Sequence, residues 1–173
     1  MKQANLRKLT TASIFAALIF LFTFTFKIPN ISGYTHIGDA FIVLGIFFLD
    51  WKYATLAAGV GAALADLIGG YPLWVGPTFL IKATMVLLSV FLIRKVFHEN
   101  KLGTVVAFLL SGAWQVLGYY VASALMFDRA YAIASVPGNA VQSGVGIAAA
   151  LVLVTALRQT GQLEKLRALA ART

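Results

Sequence analysis

The chain has 173 residues, of which 60% are hydrophobic and only 12% are charged, and it carries a formal net charge of +8. A soluble globular domain carries about 25% charged residues, so the composition excludes an ordinary soluble domain and predicts one membrane domain over residues 1–173. The absence of cysteine excludes disulfides and thiolate metal sites.

Six apolar segments approach the length of about 20 residues that a spanning helix needs. They predict helices over 9–26, 36–49, 53–68, 77–97, 103–127 and 136–157. The second is short for a full span, Pro77 suits the first turn of the fourth, and Pro137 opens the sixth. Residues 162–172 carry leucines on one face and predict an amphipathic helix at the membrane surface. The expected fold class is therefore an all-α membrane protein with six transmembrane helices.

The basic residues are distributed unevenly between the two ends of these helices. Eleven of the 14 Lys and Arg residues lie in the N-terminal tail, after the second and fourth helices, or at the C-terminal end. Only Lys27 and Arg129 lie on the opposite side, and Lys82 lies inside a helix. The positive-inside rule therefore places both termini in the cytoplasm. The same pattern, in short gaps between apolar runs, argues against a nucleic-acid partner.

With this orientation, the polar residues of the helices collect near their outer ends. They are His36, Asp39, Asp66, Lys82, Tyr119, Tyr120, Asp128, Asn139, Gln142 and Ser143. A channel or proton relay needs polar groups across the whole thickness, whereas the inner halves here are nearly all apolar. The pattern predicts a pocket that is open to the outside and closed below, with unpaired N–H groups of three helix N-termini at the same level.

Structural roles compete with ligand binding at several of these positions. Asp39 is also a candidate cap for the second helix, and Asp66 and Lys82 are candidates for an ion pair between helices. Asn139 and Gln142 share a helix face and suit interhelical hydrogen bonds. These alternatives do not by themselves explain why all of the groups lie at one depth.

Catalytic motifs are missing from the sequence. It contains no Gly-x-Ser-x-Gly, His-Glu-x-x-His or P-loop motif. His36 and His98 are predicted on opposite sides of the membrane, so they cannot share a metal ion, and the alternative for His36 is simple exposure to water. We expect no enzyme activity, no catalytic residue, no metal site and no ATP hydrolysis by this chain.

Several features together resemble a known family. They are six helices in 173 residues, Ala12-x-x-x-Ala16 on the first helix, Lys82, and the segments YTHIGD at 34–39 and PGNAVQ at 137–142. This combination is similar to the substrate-binding S component of energy-coupling-factor (ECF) vitamin transporters, in the branch linked to hydroxymethylpyrimidine and pyridoxine. The resemblance covers essentially the whole chain.

The resemblance implies a subunit of an ATP-driven importer in the bacterial cell membrane. Such a subunit binds one vitamin tightly near the outer surface and associates with a membrane T component and two ATPase subunits. It holds no cofactor itself, because the partners use the ATP. In the family, the alanine motif, here Ala12 and Ala16, packs on the T component, and the loop after the first helix acts as part of a lid.

The predicted substrate-binding residues are His36, Asp39, Lys82, Asn139, Gln142, Tyr34, Trp74 and Trp114. The carboxylate is expected to accept from a ring amine, the lysine to donate to a ring oxygen, and the two amides to bind the ring edge. Aromatic side chains are expected to stack on the ring. The alternatives are a stand-alone ion-coupled carrier, an S component for another vitamin such as riboflavin, and an assembly factor without a ligand.

Overall fold

The computed structural model describes residues 2–30, 33–98, 100–162 and 165. These residues form six α-helices and one two-stranded antiparallel ribbon. In chain order the elements are α1 (Lys2–Thr25), β1 (Ile28–Asn30), β2 (Gly33–Thr35), α2 (Asp39–Phe48), α3 (Trp51–Ile68), a 3-10 turn (Pro72–Trp74), α4 (Val75–Phe91) with a π-helical turn (Leu92–Val96), α5 (Lys101–Met126) and α6 (Arg129–Gln159). The predicted amphipathic tail, 162–172, lies outside the described residues apart from positions 162 and 165.

The fold is all-helical apart from this short ribbon, and the ribbon corrects the predicted start of the second helix. Pro29 pairs with Tyr34 in the antiparallel register, so the segment before α2 is extended rather than helical. The predicted helix from His36 therefore begins only at Asp39. The apolar pattern alone does not reveal this ribbon, because each strand has only three residues.

Two other helix starts differ from the prediction. Helix α1 begins at Lys2 instead of residue 9, since its polar first turns contain good helix formers that an apolar-run criterion ignores. Helix α6 begins at Arg129, where the Asp128 side chain accepts a hydrogen bond from the backbone N–H of Tyr131 at 2.7 Å. Pro137 thus lies inside the helix, where it removes one backbone hydrogen bond, and does not start it.

Four of the described helices are long and apolar enough to cross a membrane, which makes the chain a multi-pass membrane protein. They are Leu6–Thr25, Pro72–Val96, Lys101–Met126 and Arg129–Gln159. Helix α2, with 10 residues, is apolar but too short to span alone. Length and hydropathy together therefore support four of the six predicted spans.

Helix α2 lies at the centre of the bundle. Six of its ten residues are buried, and it contacts α1, α3, α4 and α6. One core cluster joins its Ile42 to Ile19, Ala58 and Val86, from α1, α3 and α4. Another joins its opposite face to α5 and α6. A short central helix surrounded by longer ones places its N-terminus, with Asp39, among several helix ends.

Small residues allow α1 and α3 to pack closely. A Cβ atom added at Gly61 would lie 2.6 Å from the carbonyl oxygen of Ala16 and 3.0 Å from the Cβ of Ile19. Ala12 is only 6% exposed and belongs to the same cluster. The alanine pair predicted to dock on a partner therefore packs, in this structure, against the chain's own third helix.

Gly61→Ala should destabilise the bundle by about 1–3 kcal/mol, because the added methyl group overpacks the α1–α3 contact. Gly144→Ala is the matched control, since no atom lies within 4 Å of a Cβ at that helical position, and it should be neutral or slightly stabilising. Thermal unfolding of both purified variants in detergent measures the difference. Equal midpoints for the two variants would show that the close contact is not needed.

Candidate functional site

A cavity opens at the end of the bundle where the ribbon, the end of α3 and the start of α4 meet α5 and α6. It encloses about 570 Å³ including its mouth. Its lining residues are Thr23, Tyr34, His36, Ala62, Asp66, Tyr71, Trp74, Thr78, Tyr119, Ser123, Ser135, Asn139 and Gln142. Five of the predicted binding residues are in this set, namely Tyr34, His36, Trp74, Asn139 and Gln142. Polar groups from distant parts of the sequence therefore do converge at one end of the helices.

Asp39 and Lys82 form a buried ion pair behind the cavity wall. The lysine Nζ donates to Oδ1 of Asp39 at 2.6 Å, and the two side chains are 0% and 3% exposed. The amide nitrogens of Gln115 and Gln142 donate to Oδ2 at 2.9 and 3.0 Å. The carboxylate is thus occupied by three protein donors and, contrary to the prediction, does not line the cavity. The lysine pairs with Asp39 and not with Asp66.

This network connects four helices at one carboxylate. Asp39 opens α2, and its three donors come from α4, α5 and α6. The approach of α6 requires Gly146, because a Cβ atom there would lie 2.7 Å from the Cβ of Asp39. A buried pair of this kind is costly to break, since loss of one partner leaves an uncompensated charge. The network therefore fixes how the helices that carry the cavity meet.

The network also orients the two amide side chains of α6. A carboxylate only accepts hydrogen bonds, so Gln142 must turn its nitrogen toward Asp39, and its oxygen is left for the cavity. Asn139 donates its amide nitrogen to the carbonyl oxygen of Ser135 at 3.0 Å, which likewise leaves its oxygen. Each amide therefore offers its oxygen as an acceptor and keeps one further N–H as a donor.

A second carboxylate, Asp66, lies on the cavity wall and is only 6% exposed. The Tyr34 hydroxyl donates to its Oδ1 at 2.5 Å, and Thr78 also hydrogen-bonds it. Tyr119 in turn donates to the Thr78 hydroxyl at 3.2 Å. Burial and the neighbouring carboxylate raise the pKa of Tyr34, which keeps this donor protonated. The sequence placed Asp66 among the polar residues near the outer helix ends and suggested an ion pair with Lys82, but it did not name Asp66 as a binding residue.

His36 lies between β2 and α2 and is buried against the cavity. Burial lowers its pKa to about 4, so the imidazole is neutral at neutral pH. Its Nδ1 accepts from the backbone N–H of Gly38 at 3.2 Å and lies 3.4 Å from the Thr23 hydroxyl. The neutral ring therefore carries its proton on Nε2. The alternative that His36 merely faces water is excluded, since it is 6% exposed.

Aromatic rings form the mouth of the cavity. The Tyr34 and Tyr71 ring centroids are 5.1 Å apart, and those of Trp74 and Tyr119 are 5.7 Å apart. The ammonium of Lys27 lies 4.5 Å and 5.5 Å from the centroids of the Tyr34 and Tyr71 rings. These contacts join the ribbon to the segment after α3.

Trp114 does not belong to the site. It is 39% exposed on α5, and its indole nitrogen donates to the Thr84 hydroxyl at 2.9 Å. The structure therefore does not place this residue on the cavity wall, where the predicted stacking role requires it. From the next residue on, Gln115, Tyr119 and Ser123 recur every four residues on a different face of α5. That spacing marks one face of a helix and is the signal that identifies the α5 residues of the site.

Lys82→Met should destabilise the protein by about 3–5 kcal/mol, because it leaves the buried Asp39 carboxylate without a counter-charge. Adding Asp39→Asn should recover much of the loss, since the amide oxygen can still accept from the two glutamines. Denaturation midpoints of the purified proteins measure both effects.

Lys8→Met provides the control for that experiment. Lys8 pairs with Asp50 at 3.7 Å, with side chains 35% and 49% exposed, so its loss should cost about 0–1 kcal/mol. If the variants at Lys82 and Lys8 lose equal stability, the buried pair does not have the role described.

Comparisons with known proteins agree with this architecture. The family model for the "ECF-type riboflavin transporter, S component" matches residues 3–159. The chain is 31% identical over 170 residues to the "thiamine precursor transporter HmpT" of Lactococcus lactis subsp. cremoris, which covers 96% of this chain and 97% of that protein. It is also 34% identical over 122 residues to an "uncharacterized protein in gap 3'region" of Pyrococcus woesei, covering 69% and 79% of the two chains. The chain therefore belongs to the ECF-type S component family, and it is a multi-pass component of a vitamin-type transporter and not an enzyme.

Proposed function

We propose that this chain is the high-affinity substrate-binding subunit of an ATP-driven importer for a small heteroaromatic vitamin precursor of the hydroxymethylpyrimidine or pyridoxine type. The observation that carries the proposal is the cavity at one end of the bundle, where aromatic rings surround Asn139, Gln142, His36 and Asp66. Small-molecule sites typically combine apolar and aromatic walls with a small number of placed polar groups. The cavity matches this description.

The arrangement suits a flat ring with polar substituents. Tyr34 and Trp74 supply aromatic surface, and the amides of Asn139 and Gln142 supply acceptors on one helix face. The name of the Lactococcus relative supports a thiamine precursor, and hydroxymethylpyrimidine is the pyrimidine half of thiamine. In this proposal, Asp39 and Lys82 act indirectly, because they hold Gln142 and the four helices in place.

The proposed setting is the bacterial plasma membrane, with both termini and most basic residues in the cytoplasm. The cavity then opens to the outside. A T component and two ATPase subunits complete the transporter, as in the family. Contact with the T component along α1 uses the exposed side of the helix beside Ala16, since Ala12 is already buried against α3.

Riboflavin is the second candidate ligand. The family model that matches this chain is described by that vitamin. Flavin carries a three-ring system and a sugar-like chain, so its binding depends on how far the mouth of the cavity widens. Direct comparison of the candidate vitamins on the purified chain separates the two proposals.

Asn139→Ala should weaken vitamin binding at least about tenfold, the loss expected for one good hydrogen bond in a closed site. Folding should be retained, because the Asn139 nitrogen bonds only a carbonyl of its own helix. Isothermal titration of the purified protein with hydroxymethylpyrimidine, pyridoxine and riboflavin measures the effect. Trp114→Phe is the control outside the cavity and should bind with unchanged affinity; equal losses in both variants would move the site elsewhere.

Uptake should require the partner subunits. Cells that express this chain alone should not accumulate labelled vitamin, whereas cells that also express the T component and both ATPase subunits should do so. Efficient uptake by the chain alone would instead favour the stand-alone ion-coupled carrier. A purified chain that binds none of the vitamins would favour an assembly factor.

A further inference from the structure

Among the described residues that line the cavity, Asp66 is the one acidic side chain. The ion pairs among the described residues are Lys82 with Asp39 and Lys8 with Asp50, so Asp66 has no cationic partner within that part of the chain. Its protein contacts are the neutral hydroxyls of Tyr34 and Thr78. A carboxylate has about four acceptor positions, so about two of them are left for a ligand.

The two nearby lysines are committed elsewhere. The Lys82 ammonium donates to Asp39 at 2.6 Å, and the Lys27 ammonium lies over aromatic rings at the mouth. Burying a carboxylate without a counter-charge is costly. The structure therefore places a buried carboxylate, without a direct ion-pair partner among the described residues, on the wall of the cavity.

The other polar groups on the wall can act as donors or acceptors. The oxygens of Asn139 and Gln142 are available, and each amide nitrogen keeps one N–H beyond its bond to Ser135 or Asp39. Ser123 is 0% exposed, and its hydroxyl has no hydrogen-bond partner among the described residues. Among the described lining residues, the Asp66 carboxylate is therefore the group that can only accept.

We infer that Asp66 selects a ring with an amino group next to a ring nitrogen, and that this amino edge, with the ring nitrogen protonated, supplies the missing counter-charge. Such an edge offers two parallel N–H donors, which match the two oxygens of a carboxylate. A ring that has a carbonyl oxygen at the same position sets an acceptor against the carboxylate. The inference rests on the proposed function, because it names the substrate class of that same site.

This assignment differs from the role that the sequence suggested for Asp39. Both are buried carboxylates near the outer helix ends, but Asp39 is neutralised by Lys82 and saturated by donors, whereas Asp66 is neither. Asp39 therefore positions the site, and Asp66 reads the ligand. The assignment also distinguishes the candidate vitamins. The pyrimidine-like edge of riboflavin has an N–H between two carbonyl oxygens, so it sets acceptors against the Asp66 carboxylate.

Two matched ligands test the inference on the unmodified chain. One is 4-amino-5-hydroxymethyl-2-methylpyrimidine, and the other is its 4-oxo analogue, which differs only at the amino position. Titration calorimetry of the purified protein should show roughly 10- to 100-fold tighter binding of the amino form, as expected for charged hydrogen bonds of about 1.5–3 kcal/mol. Equal affinities would overturn the inference while leaving the proposed function intact, and binding of neither ring would overturn both.

Two variants then assign the selectivity to Asp66. Asp66→Asn should weaken binding of the amino form and reduce the preference to near unity, because the amide lacks the charge, while Tyr34 and Thr78 keep an oxygen to bond. Asp66→Glu should restore part of the preference.

Asp128→Asn makes the same chemical change at an exposed cap outside the cavity, and it should leave the preference unchanged. An undiminished preference in folded Asp66→Asn would overturn the assignment. If that variant does not fold, the ratio measured on the unmodified chain and on Asp66→Glu still decides the inference.

Discussion

The buried carboxylate of Asp39 is the point on which the arrangement of this protein depends. It is the first residue of the short central helix, and it accepts hydrogen bonds from side chains of three other helices. In a low-dielectric interior, an ion pair with further donors around it is strongly directional, and removal of any partner leaves an unsatisfied polar group. This constraint sets the positions of α2, α4, α5 and α6 relative to each other. The apolar clusters on both faces of α2 then complete the packing.

The cavity follows from the same arrangement. Because Asp39 holds the nitrogen of Gln142, the oxygen of that amide becomes part of the wall. The ribbon brings Tyr34 and His36 over the helix ends, and the hydroxyl of Tyr34 reaches Asp66 across 32 residues of sequence. The two carboxylates therefore have different roles. Asp39 is paired with Lys82 inside the bundle, and Asp66 faces the cavity. Their different surroundings, more than their residue type, decide what each can do.

Membership of the ECF-type S component family accounts for the form of the molecule. A substrate-binding subunit needs a closed pocket at one end, and the nearly apolar inner halves of the helices provide its floor. The comparisons point to different vitamins, riboflavin in the family description and a thiamine precursor in the Lactococcus relative. In our proposal, the Asp66 carboxylate on the wall favours the second.

Several predictions from the sequence are confirmed or extended by the structure, and others are not. The six helices were predictable because their apolar runs are long and interrupted by Gly, Pro and charged residues. The collection of polar groups at one depth was visible as well, and it led to five of the residues that line the cavity. The ribbon at 28–35, the early start of α6 and the outward position of Trp114 were not predictable, since they depend on pairing, capping and helix rotation.

The sequence by itself therefore determined that the protein lies in a membrane and which segments form helices. It also determined that the polar side chains gather near one end of those helices. Those properties depend on the composition of each segment and on the spacing of residues within it, and both are local features of the sequence. Only the tertiary structure decided which carboxylate Lys82 neutralises and which one faces the cavity. The sequence suggested Asp66 as the partner of Lys82, and the pairing with Asp39 instead depends on distances set by the packing of four helices. Those distances arise from many long-range contacts at once, so no single segment contains them.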